Sequence, residues 1–230
     1  MRQPTVNRPL VMETNPASHV AEAYRTLRTN ISFSSVDRAV QLILVNSALP
    51  GEGKSTTAAN LAAAYAQAGK KTLILDADLR RPAVHRVFQA TNRPGLSGVL
   101  SRQAELSEAI RPTGIENLDL IASGPVPPNP AELLGSQRMR SLLEELRGEY
   151  EVIIVDTPPT LAVADAQLLA SLADGVLLVL DSGRIKRDYV KKAKASLEHA
   201  GARILGVVLN GVVDKERGSY RYGYGSAESS

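Results

Sequence analysis

Three short stretches hold residues whose types and spacing can do chemistry. Ser47-Ala48-Leu49-Pro50-Gly51-Glu52-Gly53-Lys54-Ser55-Thr56 fits the phosphate-loop pattern G-x-x-x-x-G-K-[ST], with Ala48 where the first glycine would stand. Gly51 and Gly53 let successive backbone N–H groups turn inward as an anion nest. Gly51, Glu52, Gly53, Lys54, Ser55 and Thr56 are therefore the expected ATP-binding set, with Lys54 reaching the β/γ-phosphates and the Ser55 hydroxyl a ligand for Mg²⁺. The second stretch is Asp76-Ala77-Asp78-Leu79-Arg80-Arg81-Pro82. Two carboxylates two residues apart at a strand end point to the same side. The third is Ile153-Ile154-Val155-Asp156, an apolar strand ending in Asp, which in phosphate-loop NTPases supplies a Mg²⁺ carboxylate, directly or through water. Asp76 and Asp156 are thus expected beside Ser55 at the metal.

These stretches need a scaffold that brings strand ends together. Gln41–Asn46, Lys71–Leu75 and Glu151–Val155 are short apolar runs bounded by polar residues and read as buried strands. Ser55–Gln67 is alanine-rich, lacks Gly and Pro, and reads as a helix. Further on, Leu118–Ile121, Gly175–Leu180 and Arg203–Leu209 read as strands, and Ala131–Leu146 (broken near Gly135), Ala164–Ala173 and Lys186–Ala200 as helices. Strands alternating with helices predict an α/β fold: a three-layer, doubly wound, mostly parallel sheet with right-handed crossovers. Open parallel sheets bind ligands at the carboxyl ends of their strands, where all three stretches fall.

The two ends of the chain differ from its middle. Residues 1–16 are polar, with Pro4, Pro9 and Pro16, and read as an extended arm. Ala17–Ile31 reads as a helix with Ser18 as N-cap and an apolar face of Val20, Tyr24, Leu27 and Ile31. On another face Glu22, Arg25 and Arg28 lie three apart, and Glu22 and Arg25 can pair. Residues 211–230 form a glycine- and serine-rich tail expected to be flexible, with Tyr220, Tyr222 and Tyr224. Exposed tyrosines on the tail of an ATP-binding protein suggest phosphoacceptors. A tyrosine hydroxyl has a pKa of about 10, so its proton must be accepted as the new bond forms. Asp76 or Asp78 is the candidate acceptor, and residue types alone do not choose between them.

Composition removes several classes. The chain has 230 residues, enough for one substantial α/β domain. There is no cysteine, which excludes disulfides, thiolate metal sites and cysteine nucleophiles. The net charge of +3 does not point to nucleic acid. No apolar run is long enough to span a membrane and no secretory signal is visible, so the expected location is cytoplasmic.

Taken together, the chain resembles the bacterial tyrosine kinases of capsule and exopolysaccharide synthesis, the CpsD/CapB type. The likeness rests on the phosphate loop Ala48–Ser55, on Asp76-Ala77-Asp78-Leu79-Arg80 followed by Arg81-Pro82 and His85, and on Ile153–Asp156 before Thr157-Pro158-Pro159. It rests also on Pro127-Pro128-Asn129-Pro130 leading into Glu132-Leu133-Leu134, on the E-x-x-R-x-x-R helix of Glu22, Arg25 and Arg28, and on the tyrosine cluster. The resemblance implies a phosphate-loop NTPase fold of the partition-ATPase-like, deviant Walker group, with residues 17–210 as the kinase domain and 17–33 as its oligomerisation helix. It implies an ATP- and Mg²⁺-dependent tyrosine autokinase using Lys54, Asp76, Asp78 and Asp156 and modifying Tyr220, Tyr222 and Tyr224. It also implies a ring-shaped homo-oligomer, a separate transmembrane activator that recruits the chain to the inner face of the membrane through its cytoplasmic tail, and an opposing tyrosine phosphatase. The rival reading is a partition or division-site ATPase switch. Those proteins carry an additional lysine where this loop has Leu49. The segment after the last strand, Asn210-Gly211-Val212-Val213-Asp214, lacks the lysine of the guanine-reading N-K-x-D, so adenine is favoured, with Asn210 as a candidate contact.

Overall fold

A computed structural model of the chain describes residues 10–34 and 39–212. The expected phosphoacceptor cluster of Tyr220, Tyr222 and Tyr224 lies outside these residues, as does most of the arm 1–16.

Seven strands form one sheet: β1 Leu42–Ser47, β2 Thr72–Asp76, β3 Ile110–Pro112, β4 Leu118–Ile121, β5 Val152–Asp156, β6 Gly175–Asp181 and β7 Ile204–Asn210. Their order is β3-β4-β2-β5-β1-β6-β7. All neighbours are parallel except β3, which runs antiparallel to β4 at one edge. That three-residue edge strand is not legible in the sequence, because one of its residues is Pro112 and its pairing is made entirely with β4.

The central strands are apolar throughout because both faces are covered, as parallel sheets require. Alternate side chains serve different layers. Leu42, Leu44, Leu73, Leu75, Ile153 and Val155 pack with Leu134, Met139, Leu143, Leu169 and Leu197 on one face. Ile43, Val45, Ile74 and Ile154 pack with the alanine-rich helix and the N-terminal segment on the other. The helices of the first layer include α7 Pro130–Leu134, α8 Gln137–Glu149, α9 Asp165–Ala170 and α10 Arg187–His199. The second layer contains α1 Val11–Thr14, α2 His19–Phe33 and α3 Lys54–Ala66, and three short helices, α4 Val84–Val87, α5 Leu96–Leu100 and α6 Leu106–Ala109, lie between β2 and β3 in the chain. Its alanines allow α3 to lie close on the sheet with eleven of its residues buried.

The extended-arm expectation fails where residues 10–14 are described. Val11–Thr14 form a helical turn, and Leu10 and Met12 are buried against the second layer. The Met12 N–H donates to Asn60 Oδ1 at 3.1 Å, and Gln67 Nε2 donates to the Met12 carbonyl at 3.0 Å. Two apolar side chains outweigh the surrounding prolines, since each buried one is worth about 1.5–3 kcal/mol. In α2 the Ser18 hydroxyl caps the helix by accepting from Ala21 N–H at 3.1 Å. Of the expected apolar face, Ile31 is buried and Tyr24 and Leu27 pack against the core, but Val20 is 55% exposed.

Candidate active site

The register of β2 and β5 sets Asp76 opposite Asp156, and β1 lies beside β5 with Val45 opposite Asp156. The carboxyl ends of three neighbouring strands therefore deliver Asp76, Asp156 and the phosphate loop to one place. Gly51 and Gly53 adopt φ +88° and +91°, a conformation that side chains rarely take. The loop then enters α3, whose first residue is Lys54. This opens its backbone amides toward a helix N-terminus suited to phosphate.

Lys54 is the centre of the charge arrangement. Its Nζ lies 3.0 Å from Asp78 Oδ2 and 3.5 Å from Asp156 Oδ1, and it donates to Ser55 Oγ at 3.3 Å. Burial pulls its ammonium down, but Asp156, Asp78 and Asp76 together outweigh this and its proton is held more tightly than usual. Asp76 is fully buried. Its Oδ1 accepts from Asp78 N–H at 3.1 Å, and its Oδ2 accepts from Ala83 N–H at 3.1 Å and Val84 N–H at 3.0 Å. Burial first, and the charge of Asp156 second, push its carboxyl up to about 7 against the pull of those amides and of Lys54. Asp156 is pushed up by burial as well, with Lys54 and the Ser55 hydroxyl opposing.

The two buried aspartates differ in their free valence. Both Asp76 oxygens are used by main-chain donors, whereas neither Asp156 oxygen has a hydrogen bond. Asp156 and Ser55 thus have the most capacity for a divalent cation, while Asp76, expected beside them, keeps one free lone pair on Oδ1. Among the described residues no three His, Asp or Glu side chains form a metal cluster. Mg²⁺ does not need one, because it is usually held by one or two carboxylates and the phosphates of its nucleotide.

The remaining expected residues are placed as follows. Glu52 turns its carboxylate into the protein, where it accepts from Leu49 N–H at 2.7 Å and Asp181 N–H at 3.4 Å. Its side chain fixes the loop, leaving only its backbone for phosphate. Asn210 braces the same loop, since its Nδ2 donates to the Glu52 carbonyl at 3.1 Å and a Cβ on Gly53 would lie 2.0 Å from that nitrogen. Thr56 is half-buried in the first turn of α3. Glu22, Arg25 and Arg28 lie on α2. Arg25 pairs with Glu22 at 3.0 Å and also donates to the Pro16 carbonyl, while Arg28 donates to the Ala64 carbonyl at 3.1 Å.

Beside Lys54 opens a cleft of about 460 Å³. One wall is Asp78, Arg80 and Arg81, and the other is Pro158, Pro159, Ala162 and Val163. Sequence reasoning named most of these walls but missed Asn46, Thr160 and Asp165, which hold them in place. Asn46 on β1 donates to Thr157 Oγ1 at 2.9 Å and to the Pro158 carbonyl at 2.8 Å, and accepts from Thr160. Asp165, the first residue of α9, takes the Arg80 guanidinium in a two-pronged pair at 2.8 and 3.0 Å. An Asp in a first helical turn carries no signal of such a role, because it is favoured there by the helix dipole alone.

A family model described as an AAA domain matches residues 40–192. The septum site-determining protein MinD of Pyrococcus horikoshii, solved with Mg-ADP, aligns with a TM-score of 0.63 and 27% identity over 74% of this chain and 69% of that one. Fold and loop geometry together define a phosphate-loop ATPase-type domain with a mostly parallel sheet. Nearer likenesses narrow the class. The tyrosine-protein kinase YwqD of Bacillus subtilis is 46% identical over 97% of this chain and 94% of its own length. The kinase domain of the Escherichia coli tyrosine kinase ETK superposes with a TM-score of 0.87 and 40% identity over 97% and 88% of the two chains. The chimerical protein CapA2B2 does so with a TM-score of 0.84 and 46% identity over 87% and 88%. The chain belongs to the family of bacterial tyrosine-protein kinases.

Proposed function

We propose that this chain is an ATP- and Mg²⁺-dependent tyrosine autokinase that modifies Tyr220, Tyr222 and Tyr224 and thereby regulates capsule or exopolysaccharide synthesis and export. The observation that carries this reading is Lys54 held between Asp78 and Asp156 at the mouth of a cleft beside the phosphate loop. Phosphoryl transfer asks mainly for positioning and charge neutralisation. The loop amides and Lys54 hold the triphosphate. Ser55 and Asp156 hold Mg²⁺, which supplies charge neutralisation at the phosphates. When Lys54 turns to the phosphates it releases Asp78, and Asp78, which lines the cleft, accepts the tyrosine proton. Asp76, walled in by main-chain donors, keeps the Asp78 loop in place and tunes the field.

In this reading the chain works as a ring of identical subunits joined through Glu22, Arg25 and Arg28, so that one subunit modifies the tail of the next. It is cytoplasmic, is brought to the inner face of the membrane by the cytoplasmic tail of a transmembrane activator, and is reset by a tyrosine phosphatase. The chimerical protein CapA2B2 is by its name a fusion of two components, which supports a separate partner for relatives of this kind.

The test mixes a Lys54→Met chain bearing an intact tail with an active chain truncated after Lys215, in labelled ATP. Phosphotyrosine on the inactive chain is the expected result. Phosphotyrosine made by the wild type but never by the mixture would replace transfer between subunits with transfer within one. ATP hydrolysis without any phosphotyrosine would mark a nucleotide switch instead. Asp156→Asn should abolish transfer yet fold normally, since that carboxylate makes no hydrogen bond and gives up only the 3.5 Å ion pair with Lys54.

A further inference from the structure

The cleft beside Lys54 has one wall that is fixed at both ends. Residues 157–164 run from β5 to α9 and carry Pro158, Pro159, Ala162 and Val163. The near end is tied to β1 and the phosphate loop. Thr160 N–H donates to the Ser47 carbonyl at 2.9 Å and Leu161 N–H to the Ala48 carbonyl at 3.3 Å. The far end is tied across the cleft. Asp165 is buried, and its two oxygens receive Nε and Nη2 of Arg80, whose side chain is 39% exposed and lines the opposite wall. Arg80 stands two residues from Asp78, and the neighbouring Arg81 N–H donates to Asp78 Oδ1 at 3.0 Å.

This arrangement links three things that a tyrosine acceptor needs. The prolines, Ala162 and Val163 offer an apolar face for an aromatic ring, Asp78 lines the same cleft as a carboxylate within reach of a ring hydroxyl, and the Arg80–Asp165 fork ties the two walls together. A fork of two charge-assisted bonds fixes geometry better than a single contact. A buried ion pair is weak evidence for stability by itself, so its position across the cleft is the informative part.

We propose that Asp165 is a positioning residue for the acceptor side of phosphoryl transfer, acting through Arg80 to hold the Asp78 loop against the proline wall. The inference rests on the tyrosine-kinase reading above and adds a residue that acts on the acceptor and not on the nucleotide.

The experiment uses the full chain, saturating Mg·ATP and a peptide copying residues 218–226, with initial rates taken across peptide concentration. Binding of a fluorescent ADP is measured alongside. Asp165→Asn keeps the side-chain shape and loses the charge. It should raise the peptide KM about tenfold or more and lower kcat/KM by up to ~10²-fold, the scale of a misplaced reactant. Fluorescent ADP should bind within about twofold of wild type, as expected for a residue that acts on the acceptor side alone through Arg80. Arg80→Lys keeps a cation beside Asp165 but not the fork, and should give the same KM-weighted loss if Asp165→Asn fails to fold. The double change Arg80→Lys with Asp165→Asn should be no worse than the worse of the two single changes, because both break one contact. Wild-type peptide kinetics in Asp165→Asn would overturn the proposal and leave the kinase reading intact. So would an equal loss of ADP affinity, which would make the pair a general support of the fold. A wild-type chain that modifies no peptide or tail tyrosine would overturn the kinase reading, and this proposal with it.

Discussion

Asp76 is a residue whose charge the fold opposes. Its carboxyl is raised from an ordinary 3.8 to about 7, so between those values the folded chain binds more protons than the unfolded one. Stability must then fall as pH rises through that window. Asp156 is raised too and adds to the same trend, whereas His85, lowered from its ordinary 6.5 by burial, opposes it. The contribution of Asp76 is isolated by comparing the ligand-free wild type with Asp76→Asn. Denaturant unfolding at pH 5 and pH 8 should show wild type losing at least ~1.4 kcal/mol more than the variant, the equivalent of one pKa unit. Equal pH dependence would mean that the main-chain donors around Asp76 already hold it ionised.

At the scale of elements, α3 is the common support. It begins at the phosphate loop, lies against the sheet, and carries α1 and α2 on its outer side. The short α1 is held by Leu10 and Met12 and by the Asn60 and Gln67 side chains of the α3 region. Met12→Ala should cost ~2–5 kcal/mol in urea unfolding, as for other fully buried large-to-small changes. A cost under about 0.5 kcal/mol would place this segment among surface elements. The loss should also reach nucleotide affinity, since Asn60 bonds the first-turn Thr56 carbonyl at 2.9 Å as well as Met12.

At the scale of the molecule, the proposed ring makes a sharper demand on Glu22 than on its two arginines. Arg28 is used within the chain by the Ala64 carbonyl and Arg25 by the Pro16 carbonyl, while Glu22 is exposed and touches only Arg25 among its described ion pairs. An exposed pair of this kind is worth ~0.2–1 kcal/mol. Glu22→Lys should therefore unfold at nearly the wild-type temperature yet abolish assembly by light scattering, under conditions in which the wild type assembles. A variant of unchanged mass would remove Glu22 from the subunit contact. The arginines are poorer probes, because alanine there also breaks bonds inside the subunit.

The sequence by itself determined the fold class and the three stretches of the site. Apolar runs ending in Asp, a glycine-rich turn and an alanine-rich helix are local patterns that require little beyond neighbouring residues. It determined the Ser18 cap and the break near Gly135 for the same reason. The tertiary structure alone decided how the aspartates divide their work. Whether a carboxylate keeps free lone pairs depends on how the backbone around it turns, and the Asp78, Ala83 and Val84 amides reach Asp76 only because the chain after β2 folds back on it. The same holds for Asp165, which meets Arg80 across 85 residues of chain, and for Asn210, which meets Glu52 across 158. Leu10 and Met12 read as part of an arm because two apolar residues among prolines show no period. Only the surface of α3 supplies their partner. Pairings made across the fold carry no periodic signal, and here those pairings shape the cleft.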